Sequence, residues 1–329
     1  MKRSFFLVLL IAFFIGLSIF GIYIYQSLFS DKPSSPIGDS RSFNAEEINK
    51  VTISSTRADV QITQGTGNEI KLELNGKASK SKDISLNSEL KGSELIIQVV
   101  QKGSGFFGTS SVKLSVILPK KHYERLNAST TSGDQSLSHV WAGQFELSTI
   151  SGDIDARNLA GVDLVAKTTS GDVELEDWTG NVTASTVSGD LQLKRLQGDK
   201  LISRTTSGDV EAHDLMGKEL RVTTVSGDVE LEGTAEISNV STTSGSLTLD
   251  LQGAAKSVEM SSVSGDLKIV LPKETAYKLE SKTVSGDVQI DANEFKYTDK
   301  SKRHVAGSLG EGGMSLTFKT ISGDMTITE

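Results

Sequence analysis

The sequence predicts an all-β chain wound as a parallel β-solenoid, and three observations predict it. The first is a marker. Ser-Gly-Asp occurs at Ser132, Ser151, Ser170, Ser188, Ser207, Ser226, Ser264, Ser285 and Ser322, and a tenth copy, Ser244-Gly245-Ser246, has lost its acid. The second is the period. From Gly133 the glycine-to-glycine steps are 19, 19, 18, 19, 19, 18, 20, 21 and then 37 residues, and self-similarity at a fixed period of about 20 residues signals stacked units. The last step is about twice the others, as if one copy had lost its marker. The third is alternation on both sides of the marker. Apolar residues stand seven and five places before the glycine (Leu164 and Ala166, Leu220 and Val222) and two and four after it (Val173 and Leu175, Val229 and Leu231). Such period-2 runs are strands that bury one face.

Each coil of 18–21 residues therefore reads as strand, Ser-Gly-Asp corner, strand, Gly corner, with two strands per coil. A Thr stands three places before the glycine in every copy except that of Ser262, and points with core parity. The residue two before the glycine (Thr169, Val187, Thr206, Val225) is β-branched in all ten copies, as a sheet surface prefers. A second glycine (Gly161, Gly180, Gly198, Gly217) follows an apolar row (Val140, Leu159, Trp178, Leu196, Leu215) and marks the second corner, since glycine tolerates positive φ. The first copy departs from the pattern, with Gln135 where the others are apolar. One coil cannot bury its apolar face. About ten or eleven coils stacked about 4.8 Å apart make a continuous core.

In chain order, Met1-Lys2-Arg3 precedes residues 5–25, which carry no charge. That run is long enough to cross a bilayer core of about 30 Å as a helix. Its exit, Tyr25-Gln26-Ser27-Leu28-Phe29-Ser30, lacks a small-x-small cleavage site. Residues 1–29 thus read as one retained transmembrane helix, with the N-terminus cytoplasmic and the rest extracytoplasmic by the positive-inside rule. Residues 30–42, with Pro33, Pro36 and Gly38, read as an extended linker. Residues 43–121 read as an irregular β cap hiding the solenoid's first open edge, with Arg57-Ala58-Asp59-Val60-Gln61-Ile62 a worn copy of the repeat. Phe106 and Phe107, in the loop of residues 103–108, read as cap packing. Residues 122–329 form the Ser-Gly-Asp solenoid. Within it Lys300, Lys302, Arg303 and His304 fall in an inserted loop, and no separate C-terminal cap is evident.

The formal net charge of −8 argues against nucleic acid as a partner, and the absence of cysteine excludes disulfides and thiolate metal sites. The sharpest chemical feature is the aspartate row Asp134, Asp153, Asp172, Asp190, Asp209, Asp228, Asp266, Asp287 and Asp324. Stacked carboxylates about 5 Å apart repel by about 1 kcal/mol even in water. Backbone N–H groups of each residue's own turn offset this; cations between coils are the alternative. One Asp per coil, interrupted at Ser246, is a thin oxygen supply for calcium, so no metal site is assigned. Nor is a catalytic or cofactor site. His122, His139, His213 and His304 fall at unrelated repeat positions, and no serine has an oriented base implied beside it. The outward row three after the glycine (Asp155, Glu174, Gln192, Glu211, Glu230, Thr248, Lys268, Gln289) shows no basic partner cluster. The expectation is a non-enzymatic surface that acts by contact with a protein or cell-wall polymer. The alternatives are a carbohydrate-active β-helix enzyme and a cation-stabilised adhesive rod.

The repeats of form Thr-[Thr/Val]-Ser-Gly-Asp-φ-x-φ, entered through a strand ending in Leu118-Pro119, resemble a bacterial "putative adhesin" domain family of unknown function over residues 45–329. With the N-terminal anchor the whole is similar to LiaG-like membrane-anchored proteins of Gram-positive envelope-stress operons. The resemblance implies a cell-envelope β-solenoid accessory to a stress response, and carries over no catalytic or binding residue.

Overall fold

The computed structural model describes residues 34–79, 83–102, 111–292, 294–301 and 303–329. Among them every regular element is a strand. The anchor expected over residues 1–29, and the loop of residues 103–108, lie outside the described residues. Among those described, no helix is long and apolar enough to cross a membrane.

Seven strands precede the first Ser-Gly-Asp marker: β1 (Ser34–Asn44), β2 (Lys50–Ser55), β3 (Asp59–Gly65), β4 (Glu69–Ser79), β5 (Asp83–Lys91), β6 (Glu94–Lys102) and β7 (Ser111–Pro119). The regular winding takes β8 (His122–Thr130), β9 (Gln135–Ser138), β10 (Trp141–Ser148), β11 (Ile154–Lys167), β12 (Val173–Ser185), β13 (Leu191–Arg204), β14 (Val210–Thr223), β15 (Val229–Ser241), β16 (Leu247–Leu251), β17 (Ser257–Ser261) and β18 (Leu267–Val270). Six more close the chain: β19 (Tyr277–Lys282), β20 (Val288–Ile290), β21 (Lys296–Lys300), β22 (His304–Leu309), β23 (Met314–Lys319) and β24 (Met325–Thr328).

The middle shows why the repeat exists. β11 to β15 pair in parallel, each with the next, in registers that put equivalent residues side by side: Val173 on Leu191, Leu191 on Val210, Val210 on Val229. The alternating apolar residues all face inward, and Val173, Leu175, Leu191, Val210 and Val229 are each at most 1% exposed. At the far end of the interior Trp178 meets Phe145 edge to face, centroids 5.6 Å apart. The exception at Gln135 is accommodated by bonding. Its buried amide donates to Thr130 Oγ1 at 3.2 Å and to the Ser148 carbonyl at 2.5 Å.

In β11 to β15 the two strands expected per coil are one bent strand of 13 or 14 residues. The corner has two parts: a left-handed residue six places after the marker, at His139, Asn158, Asp177, Arg195 and Asp214, with φ between 53° and 60°, and the second glycine, where the pairing register shifts between Ala160 and Asp163 and between Thr179 and Val182. Asn and Asp tolerate that region best among residues with a Cβ. Gly233 takes the same place in the next coil.

Both ends of the stack depart from chain order. At the start, β2 pairs in parallel with β6 on one side and β8 on the other, and β3 likewise lies between β7 and β9. The coil wound first is therefore the second rung, and the worn copy at Asp59 is a true rung within the stack. One edge is extended by β4, antiparallel to β7, and then by β1, antiparallel to β4, and the other by β5, antiparallel to β6. This corrects the linker reading: Ser34–Asn44 is a strand in register with β4. Pro36 is admissible there because an edge strand need not donate on its outer side. At the other end, β23 and β24 insert between β17–β18 and β19–β20. The coil wound last is thus the second rung from the end. No marker was lost in the long step from Gly286 to Gly323, which holds the antiparallel pair β21–β22, packed on β19 as a cap. The ten marked rungs, the worn copy and β6–β7 make twelve.

Backbone approaches backbone very closely at the marker glycines, and as closely at Gly161 and Gly198 of the second corner. A Cβ on Gly189 would stand 2.0 Å from the carbonyl oxygen of Gly171, and one on Gly208 1.9 Å from that of Gly189. Neither residue has positive φ, so it is the approach of the next backbone that demands glycine. Gly189→Ala is expected to lower the unfolding free energy by roughly 3 kcal/mol or more, measured from urea midpoints. Gly38→Ala, with nothing within 4 Å of the new methyl, should change it by less than about 0.5 kcal/mol. Similar effects from both would contradict the packing described.

Candidate interaction surface

The Ser-Gly-Asp corners align in one column. Parallel bridges join Ser188 to Ser207, Ser207 to Ser226, Ser226 to Ser244, Ser244 to Ser264, Ser264 to Ser322 and Ser322 to Ser285. The aspartates bond along this column rather than within their own turns. Asp190 N–H donates to Asp172 Oδ1 at 2.8 Å, Asp209 N–H to Asp190 Oδ1 at 2.9 Å and Asp228 N–H to Asp209 Oδ1 at 2.8 Å. The ladder starts on Asp59, which accepts Asp134 N–H at 3.1 Å, and ends with Asp287 N–H on Asp324 Oδ1 at 2.8 Å. Each carboxylate of the ladder but the outermost, Asp287, thus offsets its neighbours' repulsion by accepting a charge-assisted bond. Ser246 still donates its N–H to Asp228 at 2.7 Å but has no carboxylate to offer Asp266. The threonine row behaves alike from the interior: Thr186 Oγ1 donates to the Gly171 carbonyl at 3.0 Å and Thr205 Oγ1 to that of Gly189 at 3.2 Å. Among the described residues no three His, Asp or Glu side chains stand together to hold a metal ion.

Outside this column runs a ridge. In spatial order it is Thr131, Ile150, Thr169, Val187, Thr206, Val225, Thr243, Val263, Ile321 and Val284, all exposed. Among the described residues, six of the twelve exposed large apolar side chains belong to it, from Val225 at 46% to Val284 at 57% exposure. Each displays a branched side chain that the core does not use.

The flank three to six residues after the marker is charged on both signs. Asp155 accepts from Arg157 Nε at 2.7 Å, and Arg157 also reaches Glu174 Oε2 at 2.8 Å. Glu176 and Asp177 both pair with Arg195. The basic partners that the row three after the glycine lacks stand two and three positions further on, so counting that row alone missed them. Burial pushes the Asp155 carboxyl up, against the pull of Arg157. Its hydrogen bond to Arg195 holds the Asp177 carboxyl down. All these carboxylates are committed to ion pairs on an open flank.

The histidines do not converge. His139 occupies a left-handed bend and His304 Nδ1 pairs with Asp299 at 2.9 Å in the C-terminal cap. His213 lies on the charged flank between Glu211, 2.9 Å from Nε2, and Glu232, 3.1 Å from Nδ1. The hydrogen bond to Glu211 raises the imidazole above its ordinary value of 6.5, with Glu232 assisting. The basic cluster near the C-terminus is likewise divided: Lys300 lies 4.3 Å over the Tyr297 ring and His304 is paired, while Lys302 is outside the described residues.

Two outcomes are expected. Asp190→Ala, which deletes the acceptor of Asp209 N–H, should cost about 1–2 kcal/mol of stability, measured by urea unfolding; a neutral result would reduce the ladder to coincidence. By NMR, His213 should titrate above 6.5 and move back toward it in Glu211→Gln. The folded value being the higher one, the pairing's stabilisation is complete below the unfolded histidine value and is lost as pH rises through the folded value. It should amount to less than about 1 kcal/mol, because the pairs are half exposed.

The family model Toastrack DUF4097 matches twice, over residues 48–180 and 178–328. Among solved structures, a "putative lipid binding protein" from Parabacteroides distasonis aligns at 12% identity over 91% of this chain and 99% of its own, with a TM-score of 0.43. A "putative adhesin" from Bacteroides fragilis aligns at 13% identity over 90% and 99%, with a TM-score of 0.37. A "putative cell adhesion protein" from Clostridium sporogenes aligns at 11% identity over 89% and 99%, with a TM-score of 0.24. No curated protein matches. With the two family matches spanning nearly all the described strands, the chain belongs to the Toastrack DUF4097 family.

Proposed function

We propose that this chain is a non-catalytic, adhesin-like scaffold of the bacterial cell envelope, LiaG-like in organisation and accessory to an envelope-stress response. In this reading residues 1–29 anchor it in the membrane, with the N-terminus cytoplasmic, and the solenoid stands outside the cell. It works by contact with a protein or cell-wall polymer and not with nucleic acid. The uncharged run of residues 5–25 behind Lys2 and Arg3 supports the anchor.

The observation that carries the reading is the ridge. Exposed apolar side chains on a soluble surface are ordinarily scattered, yet here Ile150, Val187, Val225, Val263, Ile321 and Val284 stand in one column. Polar groups beside them are engaged with one another: the aspartates bond along the stack, and on the adjoining flank Asp155, Glu174, Glu176 and Asp177 pair with arginines and Glu211 and Glu232 with His213. A regular, contact-ready edge is what remains.

A photo-crosslinking residue at Val187 or Val225, on chain expressed in its own cells, should give discrete adducts with envelope protein or wall polymer, whereas one at exposed Ile237 on another row should not. Equal labelling from both positions, or none from the ridge, would remove this reading. Separately, the chain should resist a high-salt wash of membranes, be cut by protease added outside the cell, and become soluble when residues 1–29 are deleted. Protection from external protease would reverse the topology.

A further inference from the structure

The C-terminal end of the stack is closed on one flank only. On the β19 side the antiparallel strands β22 and β21 continue the sheet, and Thr283 N–H is taken by the Arg303 carbonyl at 3.0 Å. Phe295 stacks on Tyr277, centroids 5.8 Å apart, and covers the interior there. On the other flank β20 pairs only with β24. Nothing among the described residues pairs with its outer edge.

The interior rungs show which groups that edge leaves unpaired. In the stack, Gly208 N–H donates to the Ser226 carbonyl, Val210 N–H to the Asp228 carbonyl, and Ser226 N–H to the Thr206 carbonyl. The last such set joins the rung of Gly323 to that of Gly286: Gly323 N–H on Ser285, Met325 N–H on Asp287 and Ser285 N–H on Ile321. One rung further out, the N–H groups of Gly286 and Val288 and the carbonyl of Val284 have no counterpart among the described residues. One side-chain contact ends there as well: among the described residues the Asp287 carboxylate takes no amide, whereas that of Asp324, one rung inside, accepts Asp287 N–H at 2.8 Å. The interior is also less covered. Val288 and Ile290 are partly buried, where their equivalents Leu267, Ile269, Met325 and Ile327 are at most 1% exposed. β20 itself has three residues, but the open template continues through the corner to Val284.

We propose that this last rung is a docking edge for an extended strand of a partner protein, which joins in parallel as a further rung. The edge specifies its occupant. The strand supplies two carbonyls to Gly286 and Val288, one amide to Val284 and one to the Asp287 carboxylate. Opposite Gly286 it needs a glycine, since a Cβ there would meet that carbonyl as it would in every inner rung. It has apolar residues two and four places later to cover Val288 and Ile290. A second copy of this chain fits poorly. Its opposite end is closed by the antiparallel strands β1, β4 and β5, and two last rungs related by a two-fold axis would run antiparallel, which breaks the aspartate–amide register. The site is at the end of the stack and does not depend on what the ridge contacts.

The probe is a fluorescent peptide copying residues 220–231, an inner rung, titrated into the full chain. Saturable binding is expected, absent for a peptide with the Ser-Gly-Asp order scrambled. In the unmodified chain the same peptide should slow amide exchange at Gly286 and Val288. Val288→Pro removes an outward N–H that no inner rung uses and should weaken binding by about tenfold or more. Binding without slowed exchange at those two amides would overturn the proposal, as would indifference to the scrambled order. Concentration-dependent dimerisation abolished by Val288→Pro would also overturn it, by giving the edge to a second copy.

Discussion

The structure depends on how closely one rung lies on the next at the marker corner. There the backbone of each coil passes so near the preceding carbonyl that no side chain fits between them, as the 2.0 Å clearance at Gly189 shows. Once glycine has opened that space, the other residues of the motif become useful. The aspartate carboxylate accepts the amide of the following rung from outside, and the threonine hydroxyl donates to the glycine carbonyl of the preceding rung from inside. Each bond is worth only about 1 kcal/mol or a little more. Their value lies in repetition, because rung after rung through the middle of the stack binds its neighbours with the same groups and so fixes the register that keeps the apolar rows in line. A one-residue slip would turn each row outward.

A stack of this kind has two open ends, and the chain treats them by the same device. At each end the terminal excursion is wound out of order, so that a coil laid down early or late is clasped between two others, with antiparallel strands beyond. At the start, β1, β4 and β5 cover both flanks. At the other end, β21 and β22 cover one flank, and the lysine-bearing edge strand β21 discourages further pairing. The asymmetry between the ends, more than any single side chain, distinguishes one pole of the molecule from the other.

Much of this was legible in the sequence, because a solenoid writes its contacts locally. The period, the two-residue alternation and the core parity of the threonines each follow from a few adjacent residues, and the worn copy at Asp59 kept enough of the motif to be recognised as a rung. What escaped is what local pattern cannot encode. The long step to Gly323 looked like a lost marker, because chain order was taken for spatial order. Ser34–Asn44 looked like a linker, because Pro36 and Gly38 carry the same weight in an edge strand as in a tether. The second glycine marks only part of its corner, because residues as different as His139, Asn158 and Arg195 adopt the left-handed conformation a few positions before it and share no side-chain chemistry that announces it. The carboxylates' partners were misplaced because a hydrogen bond to the next rung spans some 19 positions, and nothing in the residue itself says in which direction it points.

The central claim is that the marker aspartates bind from rung to rung in spatial order, and site-resolved amide hydrogen exchange tests it most directly. The account predicts slow exchange at the amides of Asp172, Asp190, Asp209 and Asp228, and also at Asp324 and Asp287, whose acceptors lie far off in sequence. Asp266, which faces Ser246 and has no carboxylate to bond, should exchange fastest of the series. Uniformly rapid exchange at these amides, or an Asp266 as protected as its neighbours, would contradict it.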